Sequence, residues 1–552
     1  MNQMKPMLFS TLKTYSKADF LKDLVAGIIV AIIALPLSIA LALASGVGPE
    51  QGIYTAIIAG IVISFFGGSH VQISGPTAAF ATIVAGIVAE NGMEGLMTAT
   101  ILAGIILIIM GLCKFGSLIK FIPFTITTGF TAGIAVTIVI GQLKDFFGVT
   151  YPSGMPTIET AEKLEAFIAG FGTFQIDALI VGLVSLAVLI IMPKITEKIP
   201  GSLIAVLVGI VMVKVLPLKV NTIGDLYTIS NSLPTLHAPS FSFASIRVAL
   251  PNAFTIAILA AIESLLSCVV ADGMIGQKHR SNMELAAQGI GNIASALFGG
   301  IPATGAIART AANVKNGGRT PVAGIVHGLV LLLILVVLMP FAGWIPMPTI
   351  AAILFMVAYN MCGWRTFVRL VKTAPKSDIT VLVITFVLTV AFDLVIAIEV
   401  GMVLACLLFM KRMSDETHLH GWKYAEQLSE KELEAEAAQI RALPKEIRVY
   451  EITGPLFFGA SDVIDRITVK EMTKVLILRM RGVPSLDITA MNALEGLYEH
   501  CKKRGITLVL SHVNEQPMKV MQKSGFAKKI GKDNFCSHID LAILRAERLI
   551  AK

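Results

Sequence analysis

Two ionisable side chains lie deep inside apolar stretches of this sequence. Arg309 stands among small residues in FGGIPATGAIARTAANVKNGGR (298–319), and Glu263 stands in IAILAAIESLLSCVVADGMIGQKHR (256–280). Charged side chains in a membrane interior are costly and by default mark a substrate or ion pathway. An arginine could attract an anion there, and a carboxylate could take up a cation, which together is the chemistry of a coupled transporter.

Glu263 is the candidate for cation coupling. A carboxylate in hydrocarbon must be protonated or neutralised by a cation, because an isolated buried charge is strongly unfavourable. Both outcomes would couple transport to a cation: a proton carried by Glu263, or a sodium ion beside it, with Ser267 one helical turn further along. The structural alternative is a static ion pair between Glu263 and Arg309. For Arg309, a second alternative is a side chain that extends to the membrane surface.

Metal and cofactor chemistry are not expected. The six cysteines form no Cys-x-x-Cys pair and the histidines are scattered without ligand spacing, so neither a zinc site nor a disulfide framework is predicted. The segment GPLFFGASD (454–462) lacks the lysine of a phosphate-binding loop. We therefore expect no enzyme, no metal and no cofactor, and only a coupling ion (a proton or sodium) besides the substrate.

The elements that must position these charges are membrane helices. Of the 552 residues, 55% are hydrophobic and 15% are charged, against about 25% charged residues in soluble proteins. About 14 apolar segments follow between Lys22 and Lys411, several of them short or interrupted by Gly and Pro. Lysines and arginines concentrate in alternate loops, which predicts cytoplasmic N- and C-termini. We expect a cytoplasmic N-terminal segment (1–21) and a transmembrane domain (22–413) in the inner membrane.

Two segments resemble each other across the two halves of this domain: FFGGSHVQISGPTAAFATIVAG (65–86) and LFGGIPATGAIARTAANVKNGG (297–318). Each has a Phe-Gly-Gly, a short extended piece, a proline and then a helix of roughly half the membrane thickness. Short segments interrupted by Gly and Pro at matching positions indicate the binding site of a transporter. Each half contains an odd number of crossings, so the second half must run inverted relative to the first.

Helices that start at mid-membrane suit an anion. Their first amide groups have no intrahelical partner, and that end carries about half a positive charge, so two such ends would form an anion cavity. Pro76 is predicted to open the first half-helix, because its missing N–H does no harm there. Arg309, one or two turns into the second, would add a full positive charge. The alternative is a pair of Gly-rich kinks that only allow close helix packing.

Beyond Arg412 the sequence changes from apolar to soluble character. Residues 414–443 are charged and helix-prone, which predicts a helical linker, and 444–552 have the pattern of one small α/β domain. Its predicted elements are strands at 447–453, 475–480 and 506–513, a helix at 488–505 and two more helical stretches. Because an even number of crossings returns the chain to the inside, we expect this domain in the cytoplasm.

Four segments of the membrane domain resemble the sulfate permease (SulP) family of anion transporters: QISGPTAAF (72–80), AIESLLSCVVADGMIG (261–276), ELAAQGIGNIASALFGGIPATGAIART (284–310) and NGGRTPVAGIVHG (316–328). The C-terminal region resembles the STAS domain that members of that family carry. The likeness implies a polytopic α-helical fold with about 14 transmembrane segments in 7+7 inverted repeats and two half-helices. It also implies core and gate domains, a homodimer and an elevator-type movement of the core.

The resemblance further implies a set of site residues. The family's substrate contacts correspond to Thr77 at the first half-helix and to Gly305, Ala306 and Ile307 at the second, and its anion-attracting arginine corresponds to Arg309.

The coupling ion and the substrate are less tightly constrained. Glu263 matches the family's acidic position associated with proton coupling, whereas the sodium-coupled bicarbonate transporters that resemble this region have aspartate there. The first helix reads LPLSIALA (35–42), where many sulfate permeases have a Pro-Gln-Ala-Met-Ala-Tyr-like run. Leu37 thus replaces a polar side chain that could face the substrate, which puts sulfate in doubt and is closer to the bicarbonate group. Sulfate, bicarbonate and dicarboxylates all stay open.

In the C-terminal domain, SLDITAM (485–491) resembles the loop in which STAS antagonists carry a phosphorylatable hydroxyl, and Thr489 falls at that position. The alternative is a helix N-cap in which Asp487 accepts amide hydrogen bonds. The expected partners are a small anion, the lipid bilayer, a second copy of the chain and a regulatory protein at the STAS-like domain, but no nucleic acid.

The sequence therefore favours a secondary active transporter, a proton-coupled symporter of a small anion. The alternatives are a sodium-coupled bicarbonate transporter, a passive anion channel or uniporter, and a nucleobase permease. The arginine and the STAS-like domain disfavour the last of these.

Overall fold

The apolar runs of this chain form helices, because within a bilayer only helices or closed barrels satisfy every backbone N–H and C=O group. The computed structural model describes residues 4–117, 122–195, 200–239, 242–392, 394–421, 443–469 and 471–551. The chain divides into two units, Met1–Met402 and Val403–Lys552. The first is almost entirely helical, and the second contains a sheet.

The first half of the membrane unit begins at a capping box. The Ser16 hydroxyl accepts a hydrogen bond from the Asp19 amide (3.1 Å), and the Asp19 carboxylate accepts one from the Ser16 amide (3.2 Å). Helix α3 is broken at Gly92, whose φ of 65° is a conformation that favours glycine. In chain order the elements are α1 (Lys17–Ala44), α2 (Pro49–Phe66), β1 (Ser74–Gly75), α3 (Ala81–Leu112), α4 (Phe124–Phe147), α5 (Thr160–Gly170), α6 (Ile176–Ile195) and α7 (Gly201–Val215).

The second half repeats this order of elements. Two helices lead to a two-residue strand and then to a short helix, as in the first half. The elements are α8 (Phe243–Ile275), α9 (Ser281–Leu297), β2 (Thr304–Gly305), α10 (Ile307–Lys315), α11 (Val322–Ala342), α12 (Met347–Cys362), α13 (Trp364–Thr373), α14 (Lys376–Ala391) and α15 (Leu394–Asp415).

The predicted inverted repeat with two half-helices is confirmed. The half-helices are α10, with 9 residues, and the part of α3 before Gly92. Strands β1 and β2 pair antiparallel, with Ser74 opposite Gly305 and Gly75 opposite Thr304, as expected of halves with opposite orientation. Among the described residues, 8 helical stretches are by themselves long and apolar enough to cross a membrane. The remaining helices are shorter or less apolar, in agreement with the Gly and Pro residues that interrupt the apolar segments of the sequence.

The membrane helices form two bundles that mix the two repeats. In one bundle, α1, α2 and α3 pack against α8, α9, α10 and α11; in the other, α4, α6 and α7 pack with α12, and α4 also packs against α14. We call these the first bundle and the second bundle. Both short strands and both half-helices belong to the first bundle.

The second unit is built on one sheet. Its strands are β3 (His418–Gly421), β4 (Ile447–Thr453), β5 (Val475–Gly482), β6 (Thr507–Ser511) and β7 (Phe535–Cys536), and its helices are α16 (Ile488–Lys503), α17 (Glu515–Lys523), α18 (Phe526–Ile530) and α19 (Ile539–Ile550). The strand order is β3-β4-β5-β6-β7, antiparallel between β3 and β4 and parallel elsewhere.

The central strands of this sheet are covered on both faces. Leu476 and Leu478 of β5 lie in a buried cluster with residues of α16 to α18. Val475 and Ile477, which point to the other face, pack with Ala542 of α19. This arrangement explains why β5 reads as a continuous apolar run instead of an alternating one.

The elements predicted for this domain are confirmed within a few residues. β4 has the predicted bounds, and β5, α16 and β6 differ from the prediction by two residues or fewer at each end. Strand β3 was not expected, because it lies inside the segment predicted as a helical linker. Residues 422–442, which make up most of that linker (414–443), lie outside the described residues.

Close helix contact at one glycine pair generates a stability prediction. A Cβ atom on Gly104 of α3 would lie 2.6 Å from the Gly289 carbonyl oxygen of α9, whereas one on Gly86 of the same α3 would meet no atom within 4 Å. Alanine is favoured over glycine in a free helix by about 1 kcal/mol, but overpacking costs about 1–3 kcal/mol. We expect Gly104→Ala to lower the thermal stability of the purified protein and Gly86→Ala to leave it unchanged or raise it. Equal melting temperatures for the two variants would contradict the close α3–α9 contact.

Candidate anion-binding site

The paired strands bring the starts of the two half-helices together. Thr77 precedes a single helical turn (Ala78–Phe80) that leads into α3, and Ala306 is the cap of α10. Pro76 lies before the cap residue, so the prediction that it opens the helix was wrong by two positions. The reason is that the chain stays extended through Thr77, whose φ and ψ are −127° and 158°.

The amide groups at the second helix start fall into two classes. The Gly305 amide donates to the Ser264 hydroxyl (3.2 Å) and the Ala306 amide donates to the Ile73 carbonyl (2.9 Å), so both are used within the protein. The bond from the Thr310 amide to the Ala306 carbonyl (2.9 Å) opens the helical ladder. The amides of Ile307 and the next two residues therefore have no intrahelical partner and are the donors that an anion could use.

Glu263 lies against the first helix start. Its carboxylate accepts a hydrogen bond from the Thr77 hydroxyl at 2.9 Å. Two residues predicted from different arguments, one for the anion and one for the cation, are thus in direct contact. Ser267 is not part of this contact: it is fully buried and its hydroxyl lies 3.4 Å from that of Thr310.

Arg309 is buried, with 3% of its surface exposed. Its Nη2 donates to the Pro76 carbonyl (3.2 Å) and to the Ser38 hydroxyl of α1 (3.3 Å), so it links the second half-helix to the first. Nη1 has no hydrogen-bond partner among the described residues. It lies so close to Gly75 that a Cβ atom on Gly75 would overlap with it. A side chain that reaches the membrane surface is therefore excluded.

The alternative of a static ion pair between Glu263 and Arg309 is not what the structure contains. The hydrogen bonds of the carboxylate and of the guanidinium go to different partners, Thr77 in one case and Ser38 and Pro76 in the other. Both charged groups therefore lie near the helix starts without neutralising each other directly.

One face of α9 carries buried polar side chains that the sequence analysis missed. Glu284, Gln288, Asn292 and Ser295 recur at intervals of three or four residues, which places them on one side of the helix, and all four are buried. We call them the polar ladder. Their helical spacing inside ELAAQGIGNIASAL (284–297) was visible in the sequence and was the signal that could have identified them.

Glu284 holds the chain segment that leads into β1. One carboxylate oxygen accepts from the Gly68 and Ser69 amides (2.8 and 3.1 Å). The other accepts from the side-chain amides of Gln72 and Gln288 (2.8 and 2.9 Å). A carboxylate with four donors around it is stabilised in its buried position.

The other end of the polar ladder holds the segment that leads into β2. The Asn292 side chain accepts from the Ala303 amide and donates to the Ala303 carbonyl, both at 2.8 Å. Ser295 donates to the Ile301 carbonyl (2.8 Å), and the Ile301 amide donates to the Thr55 hydroxyl (2.7 Å). α9 therefore positions both extended segments.

In the second unit, Thr489 is the second residue of α16 and is exposed. Asp487 is the N-cap, and its carboxylate accepts from the Ala490 amide (2.8 Å) and the Phe458 amide (2.9 Å). The capping alternative thus describes Asp487 correctly, and it leaves the Thr489 hydroxyl accessible.

Comparison with known proteins identifies the lineage. Residues 20–385 match the sulfate permease family, and residues 440–542 match the STAS domain. The chain belongs to the sulfate permease family. YvdB of Bacillus subtilis, provisionally named a sulfate transporter, is 40% identical over 540 residues, which cover 96% of this chain and 98% of that protein. The bicarbonate transporter BicA of a Picosynechococcus strain is 30% identical, over 93% and 92% of the two chains.

Solved structures share this fold. Murine Slc26a9, described as an anion transporter in the inward-facing state, superimposes with a TM-score of 0.87 at 21% identity, over 99% of this chain and 94% of that one. The transmembrane domain of a cyanobacterial BicA superimposes with a TM-score of 0.61 at 29% identity, over 71% of this chain and 98% of that domain. This family member is a transporter and not an enzyme.

The polar ladder generates a prediction for Glu284. Glu284→Ala would leave the Gly68 and Ser69 amides and the Gln72 side chain buried without their acceptor, at a cost of about 1–3 kcal/mol for each unsatisfied group. We expect a large fall in thermal stability and loss of anion uptake in the fraction that remains folded, with Glu284→Gln intermediate because it keeps one acceptor oxygen. Glu94→Ala, which removes an exposed carboxylate of α3, is the matched control. If Glu284→Ala were as stable and active as Glu94→Ala, the ladder would not position the site.

Proposed function

We propose that this protein is a proton-coupled symporter of a small oxyanion, sulfate or bicarbonate, in the plasma membrane, with dicarboxylates as the next candidates. The observation that carries the proposal is the 2.9 Å hydrogen bond from Thr77, at the first helix start, to Glu263. This bond links the group that would take the proton to the group that would bind the anion.

The anion would lie between the two helix starts. The first amides of α10, which have no intrahelical partner, and the unpartnered Nη1 of Arg309 would supply hydrogen-bond donors and positive charge. Thr77 would add a hydroxyl donor from the first half-helix. Gly305 and Ala306 would line the anion's position without donating hydrogen bonds to it, because their amides already have partners in the protein.

The proton would control whether the anion can bind. With Glu263 ionised, the Thr77 hydroxyl is held by the carboxylate, and a negative charge lies beside the anion's position. At this distance and in a medium of low dielectric constant, like charges repel strongly. Protonation removes that charge and releases the Thr77 hydroxyl for the anion, so the two ions load and unload together.

A proton fits this site better than sodium. A hard cation needs several oxygen ligands, and the hydroxyl expected to supply one, that of Ser267, is buried beside Thr310 instead. Thr77 would then be required both for the sodium ion and for the anion. Sodium-coupled bicarbonate transport is therefore the second candidate.

Movement of the first bundle as one body would provide alternating access. The proposed contacts with the anion and the proton lie on α8, on α10 and at Thr77 before α3, together with Ser38 of α1, and all belong to that bundle. An elevator-type movement past the second bundle would carry the site across the membrane without changing its internal contacts. We further propose that the chain functions as a homodimer with cytoplasmic termini, and that phosphorylation at Thr489 or a regulatory protein acts through the STAS domain.

The decisive measurement is uptake of labelled sulfate, bicarbonate and a dicarboxylate into proteoliposomes, with an inward proton gradient or an inward sodium gradient. We expect a proton gradient to drive accumulation of one of these anions. Glu263→Gln, which cannot lose a proton, should reduce that accumulation to passive equilibration while retaining anion exchange. Glu399→Gln is the matched control, because Glu399 is an exposed acid in another membrane helix.

The other outcomes are equally informative. Accumulation driven by a sodium gradient alone would show that the coupling ion is sodium and not a proton. Flux that ignores both gradients and is unchanged in Glu263→Gln would contradict symport and identify a channel or uniporter.

A further inference from the structure

A groove in the first unit is formed by three membrane helices. It has a volume of about 430 Å³ and is lined only by apolar side chains of α1, α7, α11 and the turn after α11, among them Leu35, Val206, Ile210 and Leu338. This volume lies within the range of about 300–1,000 Å³ typical of small-molecule sites. The groove lies where α7 of the second bundle meets α1 and α11 of the first.

A polar pocket adjoins the groove at the end of α7. The two cavities share Trp344 as a lining residue, and the second, of about 680 Å³, is lined by Lys214, Asp225 and residues of the neighbouring loops. The Lys214 ammonium lies 4.8 Å from the centre of the Trp344 ring. Tryptophan and lysine in this arrangement are typical of the boundary between hydrocarbon and lipid headgroups.

Backbone hydrogen bonds fix the walls of the polar pocket. The Ile223 amide donates to the Ile345 carbonyl and the Gly224 amide donates to the Gly343 carbonyl, both at 2.9 Å. The loop after α7 is thus fastened to the turn between α11 and α12. The pocket is therefore a built feature of the fold and not a gap between two independent loops.

The pocket contains one basic and one acidic side chain, Lys214 and Asp225, which form no ion pair with each other. Asp225 accepts from the amide and hydroxyl of Thr222 (2.8 and 2.7 Å). These hydrogen bonds lower the pKa of Asp225, so it is ionised at neutral pH. Lys214 forms no ion pair within the described part of the chain. The pocket thus offers one cation and one anion to a ligand.

We propose that this composite cavity binds one zwitterionic phospholipid, with an acyl chain in the apolar groove and the headgroup phosphate beside Lys214. A lipid is the occupant that matches both parts, because the groove is lined by apolar side chains of membrane helices and the adjoining pocket carries Lys214 and Asp225. The amine of the headgroup lies on the side of Asp225. The lipid is then wedged between the two bundles, at α7 and α11. The inference does not depend on which ion the transporter couples.

Trp344 provides the readout. The chain has three tryptophans, so Trp364→Phe with Trp422→Phe leaves Trp344 as the only one. Full-length protein in detergent is titrated with phosphatidylcholine whose acyl chains are brominated, which quenches tryptophan fluorescence on contact. We expect saturable quenching at low lipid-to-detergent ratios, reversed by unbrominated phosphatidylcholine. Diacylglycerol, which lacks the phosphate, should compete poorly.

Two matched pairs of variants test the two parts of the site. Ile210→Phe fills the groove, whereas Val211→Phe adds the same ring to the exposed neighbouring position on α7. Lys214→Gln removes the phosphate partner, whereas Lys219→Gln removes an exposed lysine that does not line either cavity. We expect Ile210→Phe and Lys214→Gln to weaken quenching by about tenfold in apparent affinity, equivalent to about 1.4 kcal/mol, and the two controls to match the parent.

The opposite results would overturn the proposal. Quenching that rises in proportion to lipid without saturation, and is equal in all four variants, would mean that Trp344 contacts only bulk lipid. A change of oligomeric state in Ile210→Phe with unchanged quenching would assign the groove to a contact between two copies. Equal competition by diacylglycerol and phosphatidylcholine would show that neither the headgroup phosphate nor Lys214 contributes to lipid binding.

Discussion

The membrane unit depends on one requirement: backbone that is not helical must find hydrogen-bond partners inside the bilayer. The extended segments before β1 and β2 cannot bond within themselves, and hydrocarbon offers them no partner. β1 and β2 satisfy only part of this need by pairing with each other. The polar ladder of α9 supplies further partners, since Glu284 binds the Gly68 and Ser69 amides and Asn292 binds the backbone of Ala303. Side chains of other elements contribute as well, such as Thr55, which accepts from the Ile301 amide.

The candidate site consists of polar groups that the scaffold brings together without using them all. Among the described residues, these groups include the first amides of α10, which have no intrahelical partner, the unpartnered Nη1 of Arg309 and the Glu263 carboxylate, which contacts Thr77. Fixed donors of this kind need no rearrangement to receive an anion, which is the advantage of a preorganised site. The close approach of Arg309 to Gly75 shows how little space the scaffold leaves at this point.

The division into two bundles separates the tasks of the membrane unit. The groups proposed to contact the ions belong to the first bundle, and the proposed lipid site lies where the two bundles meet. Glycines allow close packing within the first bundle, as at Gly104 and Gly289. Rigid packing within a bundle, with an apolar junction between bundles, is the combination that a sliding movement would need.

The sequence alone determined much of this molecule. Hydropathy set the membrane helices, the repeated Gly/Pro segments predicted the two half-helices, and the motifs around Glu263 and Arg309 indicated the family. The period of the apolar runs predicted a small α/β domain at the C-terminal end, because secondary structure depends mainly on residues that are close together in the sequence. The resemblance to a known domain then indicated that this domain is of the STAS type. Even the polar ladder had a helical spacing that could be recognised in the sequence.

Tertiary structure decided which of these groups meet. Thr77 and Glu263 are separated by 186 positions in the chain, and no periodicity links them; the pairing of two inverted repeats brings them together. The same holds for Ser267, which was placed beside Glu263 by helical spacing but packs against Thr310. Spacing along one helix predicts which side chains share a face, whereas only the packing of helices from both repeats decides what that face contacts.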